Sequence, residues 1–278
     1  MYEALPEIGQ LAISQVDGLK IRVARSGADA GVPILLTSPW PESIYAFRDI
    51  LPALRGAGPL IAVDLPGFGI SEGRPDLMSP KAMSGFIIKL AEHFELTRVH
   101  AVGPDIGALA LLFAAAESPM LFESLIVGSG ATSVELAAGG LVDLIASPRG
   151  AFSQAEGGDL GTGFVKGAAA HLPPLAVMED YRRSSAGIRF EEATNFVRAY
   201  NRELPSLKTT LPAIDTPVLV LAGRNDAAVP PSNAQLLKDL LPHNKYVLLE
   251  GGHLIWEDAA DAYASEISDW VNGGYRAV

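Results

Sequence analysis

Residues 99–116 read VHAVGPDIGALALLFAAA. An apolar strand runs into Gly103, Pro104 and Asp105 occupy a turn, and a hydrophobic helix begins at Ile106. Glycines flank the turn because it is tight and because the helix after it must pack close to the sheet. A turn of this form aims its central side chain past the C-terminal ends of the strands, where open α/β sheets bind ligands. The helix start beneath it offers unpaired N–H groups and a positive dipole end. Asp105 has a plainer explanation when taken alone, since Asp is a good helix N-cap.

Working outward, short β-branched runs alternate with longer helical patterns. The spacing predicts strands at 11–16, 19–25, 33–36, 60–63, 99–102 and 124–127, with helices at 44–54, 80–94 and 106–117. Strand, helix, strand at this interval implies parallel pairing through crossover helices. The first two runs are close enough for an antiparallel hairpin. From about 133 to 212 the alternation stops. This stretch is rich in Ala and Gly, carries Pro173 and Pro174, and turns amphipathic and charged from Met178 to Arg202. It is read as a mainly helical insertion, 133–212, over a core of 1–132 and 213–278. Alternation resumes with a strand at 217–223, a helix near 233–240, a strand at 246–249 and a helix near 259–271.

Composition removes several classes of function. Of 278 residues, 49% are hydrophobic and 19% charged, which suits one large buried core. The net charge of −11 opposes binding to nucleic acid or anionic membranes. With no cysteine there is no disulfide, thiolate metal site or Cys nucleophile. The opening MYEALPEIGQ has no basic segment followed by an apolar core, so no signal peptide is expected there and a cytoplasmic location is. The longest apolar run, 108–116, is far too short to span a bilayer.

The pattern Gly103-x-Asp105-x-Gly107 has the form of a nucleophile elbow with Asp in place of the commoner Ser. Its partners follow in the order nucleophile, acid, histidine. GRNDAAVPP sets Asp226 just past the strand at 217–223, and EGGHLIWED sets His253 just past the strand at 246–249. Either residue alone could be an ordinary loop residue; both at strand ends in this order is an unlikely coincidence. His93, His100 and His243 are read as structural or surface residues, and His171 as a weak candidate to face the pocket. No Gly-x-Ser-x-Gly occurs; the nearest serine-rich turn, VGSGATS at 127–133, follows the next strand instead of opening the elbow helix.

At these residues the chain resembles the α/β-hydrolase superfamily, and within it the epoxide hydrolase and haloalkane dehalogenase branch. DLPGFGISEG at 64–73 is a loop typical of that branch, and SPWPES at 38–43 stands where the branch has His-Gly-aromatic-Pro. Trp40 and Pro41 match, while Ser38 and Pro39 depart. The resemblance implies Asp105, Asp226 and His253 as the catalytic set, backbone donors from Trp40 and Ile106 as the oxyanion hole, and a cis Trp40–Pro41 bond. It implies no metal and no organic cofactor. Haloalkane dehalogenases usually carry Trp after the nucleophile and Asn at the position of Trp40; fluoroacetate dehalogenases carry Arg after the nucleophile. Here Ile106 follows, as in some bacterial epoxide hydrolases. Those enzymes use cap tyrosines to assist ring opening, and VRAYNREL at 197–204 resembles the segment that carries one. Tyr200 is therefore the first ring-opening candidate and Tyr181 the second. The expectation is an epoxide hydrolase acting on a small, largely uncharged molecule. A hydrolytic dehalogenase, or a cofactor-free lyase or isomerase on the same fold, is the alternative. Homo-oligomerisation is left open.

Overall fold

The computed structural model describes residues 4–278. The reading of the opening segment falls partly on Met1, Tyr2 and Glu3, which lie outside them. The strands β1 (Gln10–Val16), β2 (Leu19–Gly27), β3 (Ile34–Thr37), β4 (Pro59–Val63), β5 (Val99–Pro104), β6 (Phe122–Gly128), β7 (Val218–Gly223) and β8 (Asn244–Leu249) form one sheet in the order β1-β2-β4-β3-β5-β6-β7-β8. β2 runs antiparallel to both neighbours; every pair from β4 to β8 is parallel. The helices α1 (Leu51–Leu54), α2 (Pro80–His93) and α3 (Ile106–Glu117) connect the first strands. Between β6 and β7 come α4 (Gly139–Ala146), α5 (Gly157–Ala168), α6 (Leu175–Ser185), α7 (Arg189–Arg198) and α8 (Tyr200–Thr210). α9 (Ser232–Leu240), α10 (Ile255–Asp258) and α11 (Ala260–Val271) complete the chain.

The strands alternate between two apolar cores, as a sheet covered on both faces must. Leu35 packs into the core that holds α2 and α3, while Ile34 and Leu36 pack into the core that holds α1 and α11. Residues 106–115 of α3 are buried all round, which is why that helix shows no polar stripe. The expected helix at 44–54 is instead a 3-10 turn, Ile44–Phe47, followed by the single turn of α1. Pro52 explains the break: it lacks an N–H and its ring collides with the carbonyl four residues earlier, so a helix restarts with it near its first position.

The insertion is tied to the sheet through a buried charge cluster. Arg22 on β2 donates from Nε to Asp64 (2.6 Å) and from both Nη atoms to Asp180 on α6 (2.7 and 2.8 Å). Ser43 Oγ also donates to Asp180 (2.6 Å), and Asp64 accepts from the N–H groups of Ile44 and Ile70. Asp64 opens the DLPGFG loop, and the loop's last glycine is required by it. A Cβ on Gly69 would lie 1.9 Å from Asp64 Cγ, and Gly69 has φ +50°. Charge-assisted hydrogen bonds of this kind are worth about 1.5–3 kcal/mol each. Asp180→Asn is therefore expected to lower stability by about 2 kcal/mol, read as a reduced denaturant midpoint. An unchanged midpoint would show that the link carries no weight.

Candidate active site

The elbow lies between β5 and α3. Asp105 has φ +54° and ψ −120°, a backbone that L side chains rarely adopt, and its N–H is held by Gly128 O at 2.9 Å. Gly107 is needed for close approach, because a Cβ there would lie 2.3 Å from Thr37 Oγ1. The Asp105 carboxylate makes no capping bond to its own helix, so the plainer explanation of the residue fails. Oδ2 instead accepts the backbone N–H of Trp40 at 2.9 Å. The N–H of Ile106 acts on the same carboxylate electrostatically and lowers its pKa. The Trp40–Pro41 bond is cis.

Asp226 and His253 reach the same point from the loops after β7 and β8. His253 Nδ1 lies 2.9 Å from Asp226 Oδ2. Asp226 Oδ1 is fixed in turn by the N–H groups of Ala228 and Val229, at 3.0 and 2.8 Å. His253 Nε2 faces Asp105 Oδ1 at 4.0 Å, too long for a hydrogen bond and close enough for a strong charge interaction. Burial pulls the imidazole pKa down, but the hydrogen bond and charge of Asp226, with the charge of Asp105, outweigh it and lift it above the ordinary value. Burial raises the Asp105 carboxyl, opposed by His253 and by the N–H groups of Trp40 and Ile106.

Above Asp105 lies a cleft with about 40 Å³ of free space. Leu144, Phe164, Phe190, Val197 and Val229 supply apolar walls, and Trp40 and His253 line it as well. The Trp40 ring packs against Phe190 at 5.1 Å. Its indole N–H is buried and has no partner.

The two tyrosine candidates separate. Tyr181 is fully buried and its hydroxyl donates to Glu257 at 2.5 Å, with Arg48 on the same oxygen, so it is committed away from Asp105. Tyr200 opens α8, one turn beyond the cleft residue Val197, and is 2% exposed. Its ring packs edge-on to that of Phe196 at 6.1 Å. Its hydroxyl has no hydrogen-bond partner among the described residues. Burial, then the charge of Asp105, holds the phenol well above its usual pKa, so it stays a donor.

The remaining histidines sit apart. His93, His171 and His243 are exposed, so His171 does not face the cleft. His100 is buried beside Ser124 Oγ (2.8 Å) and pushed down to about 4 by burial. Among the described residues no cluster of His, Asp and Glu is placed to hold a metal, and no helix is long and apolar enough to cross a membrane. Sequence reasoning missed Glu42 and Glu257, two buried carboxyls beside this site. A glutamate inside the otherwise buried 38–47 loop was the available signal.

Residues 32–260 match a family model described as alpha/beta hydrolase fold. The magnesium-chelatase 30 kDa subunit of Rhodobacter capsulatus is 29% identical over 265 residues, covering 90% of each chain. The pimeloyl-[acyl-carrier protein] methyl ester esterase of Neisseria meningitidis serogroup B is 26% identical over 270 residues, covering 92% of this chain and 98% of that one. A haloalkane dehalogenase variant from Bradyrhizobium elkanii superposes with a TM-score of 0.81 at 21% identity, covering 96% of this chain and 97% of the other. That likeness is one of fold.

Proposed function

The chain belongs to the alpha/beta hydrolase fold family, and from that premise we propose that it opens an epoxide to a diol through an ester on Asp105. The observation that carries the reading is a carboxylate at the elbow, held by the Trp40 N–H and faced by a histidine that Asp226 orients. A serine that attacked an sp3 carbon would form an ether the site could not cleave. A carboxylate forms an ester, which it can. An ester substrate such as that of the Neisseria relative would instead drive Asp105 to an anhydride, a costly intermediate.

Oδ2 is occupied by Trp40, so Oδ1 is the attacking atom. As the Oδ1–carbon bond forms, the ring C–O bond breaks and the alkoxide takes the Tyr200 proton. Alkylation also erases the Asp105 charge that helps raise the His253 pKa, so the imidazole becomes easier to deprotonate when a base is next required. Neutral His253 then takes a proton from water, whose oxygen adds to the Asp105 carbonyl carbon. The oxyanion forms on Oδ2, against the N–H groups of Trp40 and Ile106. Collapse breaks the bond from that carbon to Oδ1. The diol leaves with Oδ1 and the His253 proton, and the proton left on the new Asp105 carboxyl passes through solvent to the Tyr200 phenolate, which restores both groups. The net change is epoxide plus water to diol. The apolar walls suit a small uncharged substrate.

In water enriched in the heavy oxygen isotope, and with enzyme in excess, the diol of a single turnover is expected to be unlabelled while Asp105 gains the label. Label entering the diol in that first turnover would mean direct attack by water and would overturn the ester. A second reading rests on Trp40: its unpartnered indole N–H beside Asp105 suits an anionic leaving group, as in hydrolytic dehalogenation. Halide release from simple haloalkanes, faster than diol release from epoxides of like size, would put that reading first.

A further inference from the structure

Asp105 is not the only buried acid near the cleft. Glu42 follows Pro41 in the loop that carries the Trp40 donor, and it is 0% exposed. Its Oε1 accepts the Trp256 indole N–H at 3.1 Å, and its Oε2 has no donor. Glu257 lies on α10, one turn after His253. Its Oε1 accepts from Arg48 Nη1 (2.6 Å) and from the Tyr181 hydroxyl (2.5 Å), and its Oε2 also has no donor. Each acid thus keeps one buried oxygen without a donor, and each acts electrostatically on the other. Ionised carboxylates only accept, and two buried oxygens without donors are costly, so a proton held between the two acids would satisfy both. The charge count agrees: Arg48 acts on both acids, and it is shared further with Asp49 at 3.2 Å.

We infer that Glu42 and Glu257 share a single proton, and that this acid pair is a positioning element that keeps a second anion away from the oxyanion formed on Asp105. The inference rests on the ester reading only for its effect on rate. The groups facing the pair are Arg48, Trp256, Tyr181 from the insertion, and Asp105. Burial, with the charges of Glu257 and Asp105 added, holds the Glu42 carboxyl well above the usual range; burial also raises Glu257, against the pull of Arg48. The proton is therefore bound more tightly in the folded protein than in the unfolded chain. Its contribution to stability is complete at low pH and is lost as pH rises through the folded-state pKa. When the proton leaves, the charge uncovered on Glu42 acts on Asp105 and opposes the oxyanion of ester hydrolysis. Trp256 transmits the geometry, since it donates to Glu42 and stands edge-on to the His253 ring at 5.8 Å. Other groups leave this alkaline window clear. His253 must lose a proton to act, which gives a limb of the opposite sign, and the phenols of Tyr181 and Tyr200 are both held well above their usual range.

Glu42→Gln tests the pair, because its amide can accept from Trp256 and donate to Glu257 as a permanently protonated Glu42 would. Infrared difference spectroscopy, taken without substrate, is expected to show a carboxylic-acid carbonyl band in the wild type that the variant lacks. The band is expected to titrate away at alkaline pH. Glu257→Gln, which removes the neighbouring charge, is expected to move that titration down by about one pH unit or more. In steady state, wild-type turnover is expected to fall with pH along an alkaline limb, by about tenfold per unit, that Glu42→Gln lacks. A wild type whose acid bands survive intact in both variants would overturn the shared proton. A limb unchanged in Glu42→Gln would overturn its role in rate. The band is read on resting protein, so its loss or survival is independent of whether Asp105 forms an ester.

Discussion

His253→Gln is expected to react once and stop. On the proposed ester reading Asp105 is the nucleophile in the first step, and its carboxylate requires no base to attack. The second step has no base in the variant, because among the described residues the imidazole paired with Asp105 is the one removed. Loss of general-base assistance alone is worth on the order of 10²–10⁴-fold, and steady-state turnover should fall by at least that much. Intact-mass measurement should show one adduct per chain. Its mass also reports the chemistry: an epoxide adds in full, whereas a haloalkane adds without its halide. A variant that turns over at the wild-type rate, or that consumes substrate without any adduct, would rule out His253 as the base. Asp226 should matter less, since it orients the ring through Nδ1 and does not touch the reacting atoms.

Tyr200→Phe is expected to slow the other half of the cycle. The phenol is buried, unpartnered and within reach of the Asp105 charge, whereas the Tyr181 hydroxyl is taken by Glu257. Removing a buried hydroxyl that has no partner leaves nothing newly unsatisfied, so the variant should unfold no earlier than the wild type. Alkylation of Asp105, followed as a pre-steady-state burst, should slow by on the order of 10²–10⁴-fold. Ester hydrolysis should be little affected, which distinguishes this variant from His253→Gln. Burst rates equal to the wild type would remove Tyr200 from the reaction, and the Trp40 indole N–H would become the donor to test.

The parts of the fold that were legible in the sequence are those with a local period or a local steric demand. The strands show in runs such as PVLVLAG because both faces of the sheet are covered. The elbow shows in Gly103 and Gly107 because Thr37 leaves no room for a Cβ. Asp226 and His253 show because each follows a strand directly. The links between insertion and core have no such mark. Arg22 meets Asp180 across 158 residues, and no spacing announces it. Tyr181 and Tyr200 are alike in sequence, each on an amphipathic helix; only the packing of α6 and α8 decides which hydroxyl meets Glu257 and which stays free. The helix expected at 44–54 failed on Pro52, a local signal outweighed by the apolar pattern around it.

The backbone of Asp105 has a consequence for the history of the chain. A non-glycine residue at φ +54° and ψ −120° stores strain of about 1–3 kcal/mol. Apart from accepting the Trp40 N–H, the side chain at that place is required, on the proposed reading, by the chemistry alone. On that reading, selection for turnover holds position 105 against a thermodynamic slope. A lineage released from that selection gains stability by exchanging Asp105 for glycine, and it then has spare stability for further change. Catalytically silent descendants of such a protein should be the sturdier folds, and the glycine at their elbow would record what was given up.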